Sequence, residues 1–508
     1  MSGVVFADTT EDLVNALVTK GVLTEEEGNL LSKGHDKVKK NTPKLESKGG
    51  QFTIKSADEK NELALTGRMH FDYRNSDLDE NDFGNIEKDK WDTDGKSMGD
   101  EFEMRRARIG IKGKLDGIWK YEVVLNGVGS STNVLDTASL TFAAMKPFQI
   151  EAGMFKQAFN LEGLTSSNDI DFNERSWINT LSPHKKLGVA VKGEPTKGLN
   201  YAFTKYQHSW EDPDVTNENN YSGRVTYNFA EAMGDKKSIF HLGLAGISED
   251  YSHVPSTSSN GGGAGGTTHS KFLTFKSAGR GFSPLASFEL VGDSLGAGAG
   301  ASAKGKQTND IENSFGGLEG IFARGPFKLQ GEYVTGNIEG RNHVNGAKIE
   351  ADIKTAYLTA AYMLTGETYA DSYKEGIMKG IKVAKPFDFE KGTGTGAWEI
   401  AARYEYLDID NADVTRGTGD GASRLRGNWD CGTGTVVESY GESSNVSNCK
   451  SGADQYTIGL KWIANPNVLA KVSLTYSDYD NKVIAPDTSE GDQFDSETLL
   501  QTRVQWMF

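Results

Sequence analysis

No run of this 508-residue chain reaches the roughly 18 apolar residues that a membrane-spanning helix requires. Hydrophobic residues make up only 36% of it, and the mean hydropathy is −0.52. Those absences exclude a helical membrane protein and nothing more, because a β-barrel shows oil to lipid only at alternate positions. Cysteine is nearly missing: Cys431 and Cys449 stand alone in a Gly/Ser/Asn-rich stretch. A lone close pair in an exported protein reads as a disulfide closing a surface loop. Two thiols without nearby histidines cannot complete a tetrahedral zinc site. The eight histidines are scattered and form no H-E-x-x-H pattern. A net charge of −16 argues against binding nucleic acid over the whole surface, but leaves the sign of a channel interior open.

What is present is alternation. In "EFEMRRARIGIKGKL", residues 101 to 115, Ala107, Ile109 and Ile111 form one series, and Arg106, Arg108, Lys112 and Lys114 form the other. Period two means a strand with an oily face and a basic face. "LALTGRMHFDYR" sets Leu65, Met69, Phe71 and Tyr73 against Arg68, His70 and Arg74, and "WKYEVVLN" sets Tyr121, Val123 and Leu125 against Lys120, Glu122 and Asn126. About sixteen such segments run to the end of the chain, each near the ~9–11 residues that cross a bilayer as tilted strands. Connections alternate short and long, with very long ones at 249–312 and 410–452; the long link at 365–395 falls where a short one is due. Short turns on one side and long loops on the other are the mark of an outer-membrane barrel.

The expected fold is therefore all-β: a 16-stranded antiparallel transmembrane β-barrel over residues 50–508, preceded by a short N-terminal helical extension. Val5, Phe6 and Ala7 read as the remnant of a signal peptide over residues 1–7, its apolar region truncated. Residues 8–45 place Leu13, Leu17, Leu30 and Leu31 at helical spacings, Thr24 to Glu27 form a capping box, and Pro43 ends the pattern. This extension is expected in the periplasm.

An arginine facing lipid at the bilayer midplane costs about 2–4 kcal/mol. In the closing "TLLQTRVQWMF", Leu500, Val504, Trp506 and Phe508 thus face out, and Arg503 faces the lumen. The same cost turns Arg106 and Arg108 toward water. A barrel of this size encloses an aqueous channel, whose fixed positive charge would favour anions, with guanidinium forks suited to phosphate oxygens. The plainer alternative pairs these arginines with the barrel's own Glu122 or Asp136.

"LALTGRMHFDY", "MRRARIGIKG", "IWKYEVVLN", "LDTASLTF", "FNLEGLTSSNDIDFNERS", "GLEGIFARGPFKLQGEYV", "AAYMLTGE", "GAWEIAARYEY" and "YTIGLKWIANP" occur in order before that closing strand. In these blocks the chain resembles the phosphate-selective porin O and P family of outer-membrane anion porins. The resemblance implies a homotrimer in outer-membrane lipid, passive diffusion of small anionic solutes, and a terminal Phe508 read by the outer-membrane assembly machinery. It implies a third loop folded inward at about 157–185, with Arg68, Arg105, Arg106 and Asp136 at the constriction; Arg108 stands where the family has an aromatic residue. A fifth loop dipping inward would supply Lys271, Lys276 and Arg280. One departure matters. The loop lysine expected just after Glu162 is Gly163, and the second basic position is Asn168, followed by Asp169 and Asp171. Arg108 and Lys156 would compensate. The competing expectation is a general or cation-preferring pore of the same fold.

Other patterns lead nowhere. "GASAKGK", Gly300 to Lys306, is followed by Gln307 where a phosphate loop needs a hydroxyl for magnesium. "DTDGKSMGDE", Asp92 to Glu101, resembles a calcium loop without its ligand spacing. No cofactor is implied, and the one ion such acidic loops could bind is extracellular calcium bridging their carboxylates. His70 and His241, the strand-borne histidines, lack a nucleophile partner, so an outer-membrane enzyme is not expected.

Overall fold

The computed structural model describes residues 9–39, 42–48, 50–78, 101–128, 134–209, 215–217, 219–253, 269–276, 284–291, 309–343, 346–415, 423–427, 429–431, 435–436, 445–484 and 493–508. Sixteen antiparallel strands close into a barrel. The first eight are Glu62–Leu78 (β1), Glu101–Leu115 (β2), Trp119–Asn126 (β3), Leu135–Met145 (β4), Phe148–Lys156 (β5), Lys185–Thr196 (β6), Leu199–Tyr206 (β7) and Asn220–Asn228 (β8). The second eight are Ser238–His253 (β9), Asn309–Arg324 (β10), Phe327–Asn342 (β11), Lys348–Met363 (β12), Ala397–Thr415 (β13), Val446–Asn465 (β14), Val468–Ile484 (β15) and Gln493–Met507 (β16). The seam closes where β16 pairs with β1, from Glu497 opposite Leu78 to Met507 opposite Arg68. Among the described residues no helix is long and apolar enough to cross a membrane. The spanning is done by strands.

Alternation decides which face meets lipid. Along β16, Val504 and Trp506 are exposed outward, while Gln501, Arg503 and Gln505 are buried inward. Along β2, Ile109 is 55% exposed and Arg106 only 8%. Between β1 and β2 the pattern breaks usefully. The β1–β2 register passes from His70 opposite Arg106 to Phe71 opposite Met104, so Arg105 is an extra, unpaired residue. Strict alternation would place Arg105 on the lipid side with Ala107. The bulge instead turns both consecutive arginines inward.

β9 to β16 run 15 to 20 residues, well past the span needed for hydrocarbon. Several of their inward residues, among them Ile311, Ile338, Ile349, Ile353 and Ile409, are buried and apolar. They pack on a three-stranded sheet of His269–Lys276, Pro284–Val291 and Ser423–Gly427. Trp429 packs edge-on against Phe288 at 5.5 Å, and Cys431 is disulfide-bonded to Cys449 of β14, so this sheet is fastened to the wall. Ahead of the barrel stand helices α1 (Thr9–Thr19) and α2 (Glu25–Lys39) and a hairpin of Lys44–Lys48 and Gln51–Lys55. Thr24 and Glu27 cap α2 reciprocally (2.9 and 3.2 Å). Residues 1–7, the segment from Asp92 to Gly99 and that from Gly300 to Gln307 lie outside the described residues.

Candidate functional site

After β5 the chain turns back into the lumen and stays there from Gln157 to His184. Its own apolar residues, Phe159, Leu161, Phe172, Ile178 and Leu181, are buried, and Asn160 caps the short helix Leu161–Leu164 by accepting from Gly163 N–H (3.1 Å). The far wall then fastens the loop. Glu332 of β11 accepts from the N–H groups of Leu161 and Glu162 (2.7 and 2.8 Å). Arg403 of β13 pairs with Glu162 (3.1 Å), and Glu405 accepts from Trp177 N–H (3.0 Å). Lys328 and Lys461 hold Asp171 at 2.7 and 3.6 Å, and Lys471 donates to the carbonyls of Ile170 and Phe172 (2.6 and 3.2 Å). Each of these charges has a fixed partner, so this wall positions the loop.

The near wall, β1 to β6, faces a cavity of about 1320 Å³. Arg105 forks onto Glu174 (2.8 and 3.2 Å), which also accepts from Arg503 (3.1 Å); Arg503 in turn forks onto Asp72 (2.7 and 2.6 Å). Arg108 and Lys185 share Asp136, the former at 2.8 Å. Arg68 donates to the Ser166 and Ser167 hydroxyls (3.4 and 3.1 Å), and among the described residues Arg106 reaches only His70 Nδ1 (3.4 Å). Lys156 donates to the carbonyls of Gly163, Leu164 and Thr165 (2.7 to 3.0 Å), and Arg175 to those of Glu162 and Thr165 (2.9 and 2.7 Å). Among the described residues none of Arg68, Arg106, Lys156 and Arg175 has a carboxylate ion pair. The near wall therefore carries positive charge that its own acids leave uncompensated.

Lys112, Gly163, Asn168, Asp169 and Lys276 also line this cavity. Lys120 does not: it is exposed beside the short turn, opposite Lys114, one position too near the rim. The side chain of Lys271 and all of Arg280 lie outside the described residues. Asp171 sits under the loop on a small separate cavity, and Glu162 is buried beneath it. Asn168 Oδ1 is 3.1 Å from His70 Nε2, so it locks the loop to β1. At Gly163 an added Cβ would collide with the Asn160 amide oxygen, so a lysine there would displace the helix cap.

Five cavity cations were not singled out from the sequence: Arg175, Lys185, Lys186, Lys192 and Lys379. Lys185 opens β6 beside a basic neighbour in "HKKLG", and alternation alone could have found it. Lys379 could not be found that way, because it belongs to the irregular link between β12 and β13. That link enters the lumen through Tyr369–Ser372 and a tiny hairpin, held by Tyr369 on Glu399 (2.7 Å), Arg224 on the Gly376 carbonyl (2.7 Å) and His241 on Tyr373 (2.7 Å). On the inward loop, burial beside Arg175 and Lys186 holds the His184 imidazole down to about 4, so it stays neutral near pH 7.

The family model described as phosphate-selective porin O and P matches residues 64–270 and 293–508. The chain belongs to this family. It is 24% identical over 494 residues to Porin O of Pseudomonas aeruginosa, covering 91% of this chain and 92% of that one. Among solved structures, OmpT, an outer membrane protein of Vibrio cholerae, is similar at 10% identity and a TM-score of 0.46, covering 88% and 98% of the two chains. An anion-selective porin from Comamonas acidovorans is similar at 11% identity and a TM-score of 0.44, covering 88% and 100%. The protein is thus a porin of the bacterial outer membrane, a channel and not an enzyme.

Proposed function

We propose that this porin passes small anions, phosphate among them, by diffusion past the basic near wall, as a homotrimer whose residues 8–45 extend into the periplasm. The observation that carries the anion reading is the set of cavity cations without carboxylate partners: Arg68, Arg106, Lys156 and Arg175. Hydroxyl and guanidinium donors replace part of an anion's water shell without holding it long. Arg105, Arg108 and Lys185 are partly neutralised by Glu174 and Asp136, and Lys112, Lys276 and Lys379 extend the basic lining. The cation reading loses one of its two loop carboxylates, since Asp171 is spent on Lys328 and Lys461. Phosphate added to a KCl bath should lower the single-channel chloride conductance in a saturable way. A conductance indifferent to phosphate would contradict the phosphate assignment.

Asp169 remains. It faces the cavity on the inward loop, and burial raises its carboxyl above the ordinary carboxylate range. As pH falls through that raised value, the carboxylate becomes neutral and the local charge turns more positive. Anion permeability should climb on acidification, and Asp169→Asn should start at the acidic value and show a smaller step. Parallel pH profiles for the two proteins would count against this role.

A further inference from the structure

The link between β12 and β13 has a second half that leaves the lumen. Phe387 N–H donates to the Ala464 carbonyl (2.7 Å), and the rings of Phe387 and Phe389 lie 5.5 and 6.1 Å from that of Trp462. Trp462 and Trp398 occupy outward positions of β14 and β13 and stack at 5.7 Å. Both indole N–H groups donate to the Thr395 carbonyl (3.0 and 3.2 Å). The next outward residue along β13 is Ile400, 41% exposed on the lipid-facing wall. The turn is tightly made: Asp388 N–H donates to the Thr393 carbonyl (2.7 Å), Gly392 N–H to the Asp388 carbonyl (2.8 Å), and Asp388 Oδ1 accepts from Glu390 and Lys391 N–H (3.0 and 3.1 Å). Yet this well-ordered turn leaves Phe389 57% exposed.

One exposed phenylalanine means nothing by itself. This one belongs to a four-ring cluster on a wall whose neighbouring residues meet hydrocarbon, at the end of the strands where short turns lie. Aromatic side chains gather where hydrocarbon gives way to headgroups. We propose that residues 385–396 form a foot seated on the phospholipid surface of the periplasmic leaflet, with Phe389 at the headgroup boundary. Lys385 and Lys391, both exposed, lay their stems along the same edge and turn their ammonium groups toward lipid phosphate. The Lys391–Asp388 pair (3.3 Å) is solvent-exposed and too weak to prevent this. Lipid is the occupant because the patch is continuous with the lipid-facing wall. The unusual length of the link then has a use on both sides: its first half narrows the lumen, and its second half braces that insert from outside.

The test is a nitroxide on Phe389→Cys in the full chain, reconstituted in phosphatidylethanolamine and phosphatidylglycerol vesicles, with Lys374→Cys of the inward hairpin as the aqueous control. The label at 389 should collide more often with oxygen than with a water-soluble nickel chelate, and the label at 374 should show the reverse. Lys391→Cys, two residues on, should lie at an intermediate depth. A label at 389 as open to the chelate as that at 374 would overturn the proposal. So would one shielded from both reagents, since another protein chain would then cover the patch.

Discussion

Replacing Arg68 and Arg106 together by alanine should reduce the chloride-over-potassium permeability ratio by at least about 30-fold, the share that comes from lost attraction for chloride alone. Each unit charge acting on an ion at about 4 Å is worth about 1 kcal/mol in a water-filled pore, so the pair is worth about 2 kcal/mol. These two are chosen because no described carboxylate lies within ion-pair distance of either one: Arg68 rests on loop hydroxyls, and Arg106 on a histidine nitrogen. Their positions do not close the barrel, whose β1–β2 pairing is made by the backbone. The double lysine variant keeps the charge while losing the planar fork, so it should retain most of the ratio. Bi-ionic potentials on purified protein in planar bilayers measure both. An unchanged ratio in the alanine variant would mean that the arginines do not set selectivity.

Asp171→Ala should be the most damaging change to the loop. It leaves the ammonium groups of Lys328 and Lys461 buried beneath the loop, Lys328 without its carboxylate partner. Breaking a buried pair in this way costs about 3–5 kcal/mol. The loop's hold on β11 would fall back on Glu332, and among the described residues Lys461 would keep only Glu399 (2.6 Å). Steady single-channel current should give way to frequent fluctuation between conductance levels, with a lowered thermal midpoint in detergent. Adding Lys328→Met removes one orphaned charge and should restore part of the stability. A variant with steady current and an unshifted midpoint would show that the loop is held by its other contacts alone.

The barrel was legible because lipid imposes a two-residue period, and a cost of a few kcal/mol per misplaced arginine makes that period unambiguous. Arg106, Arg108 and Arg503 followed directly from it. Arg105 did not, since a bulge is a break in the pattern that justifies the reading. The division between a loop-holding wall and an ion-facing wall was invisible for a different reason. Asp171 meets Lys328 across 157 residues of sequence, and Glu162 meets Arg403 across 241. Lone charges on alternating strands look alike until the closed ring brings them together. The strand lengths were underestimated on the β9–β16 side, because the extra residues face an inserted sheet that has no counterpart in a simple barrel.

Selectivity turns on the sign of the charge left over at the constriction. The direct measurement is the zero-current potential of the wild-type channel in a planar bilayer separating dilute from concentrated KCl. The uncompensated near wall predicts a potential displaced toward the chloride equilibrium value, shrinking as salt rises and screens it. A displacement toward the potassium value would contradict it.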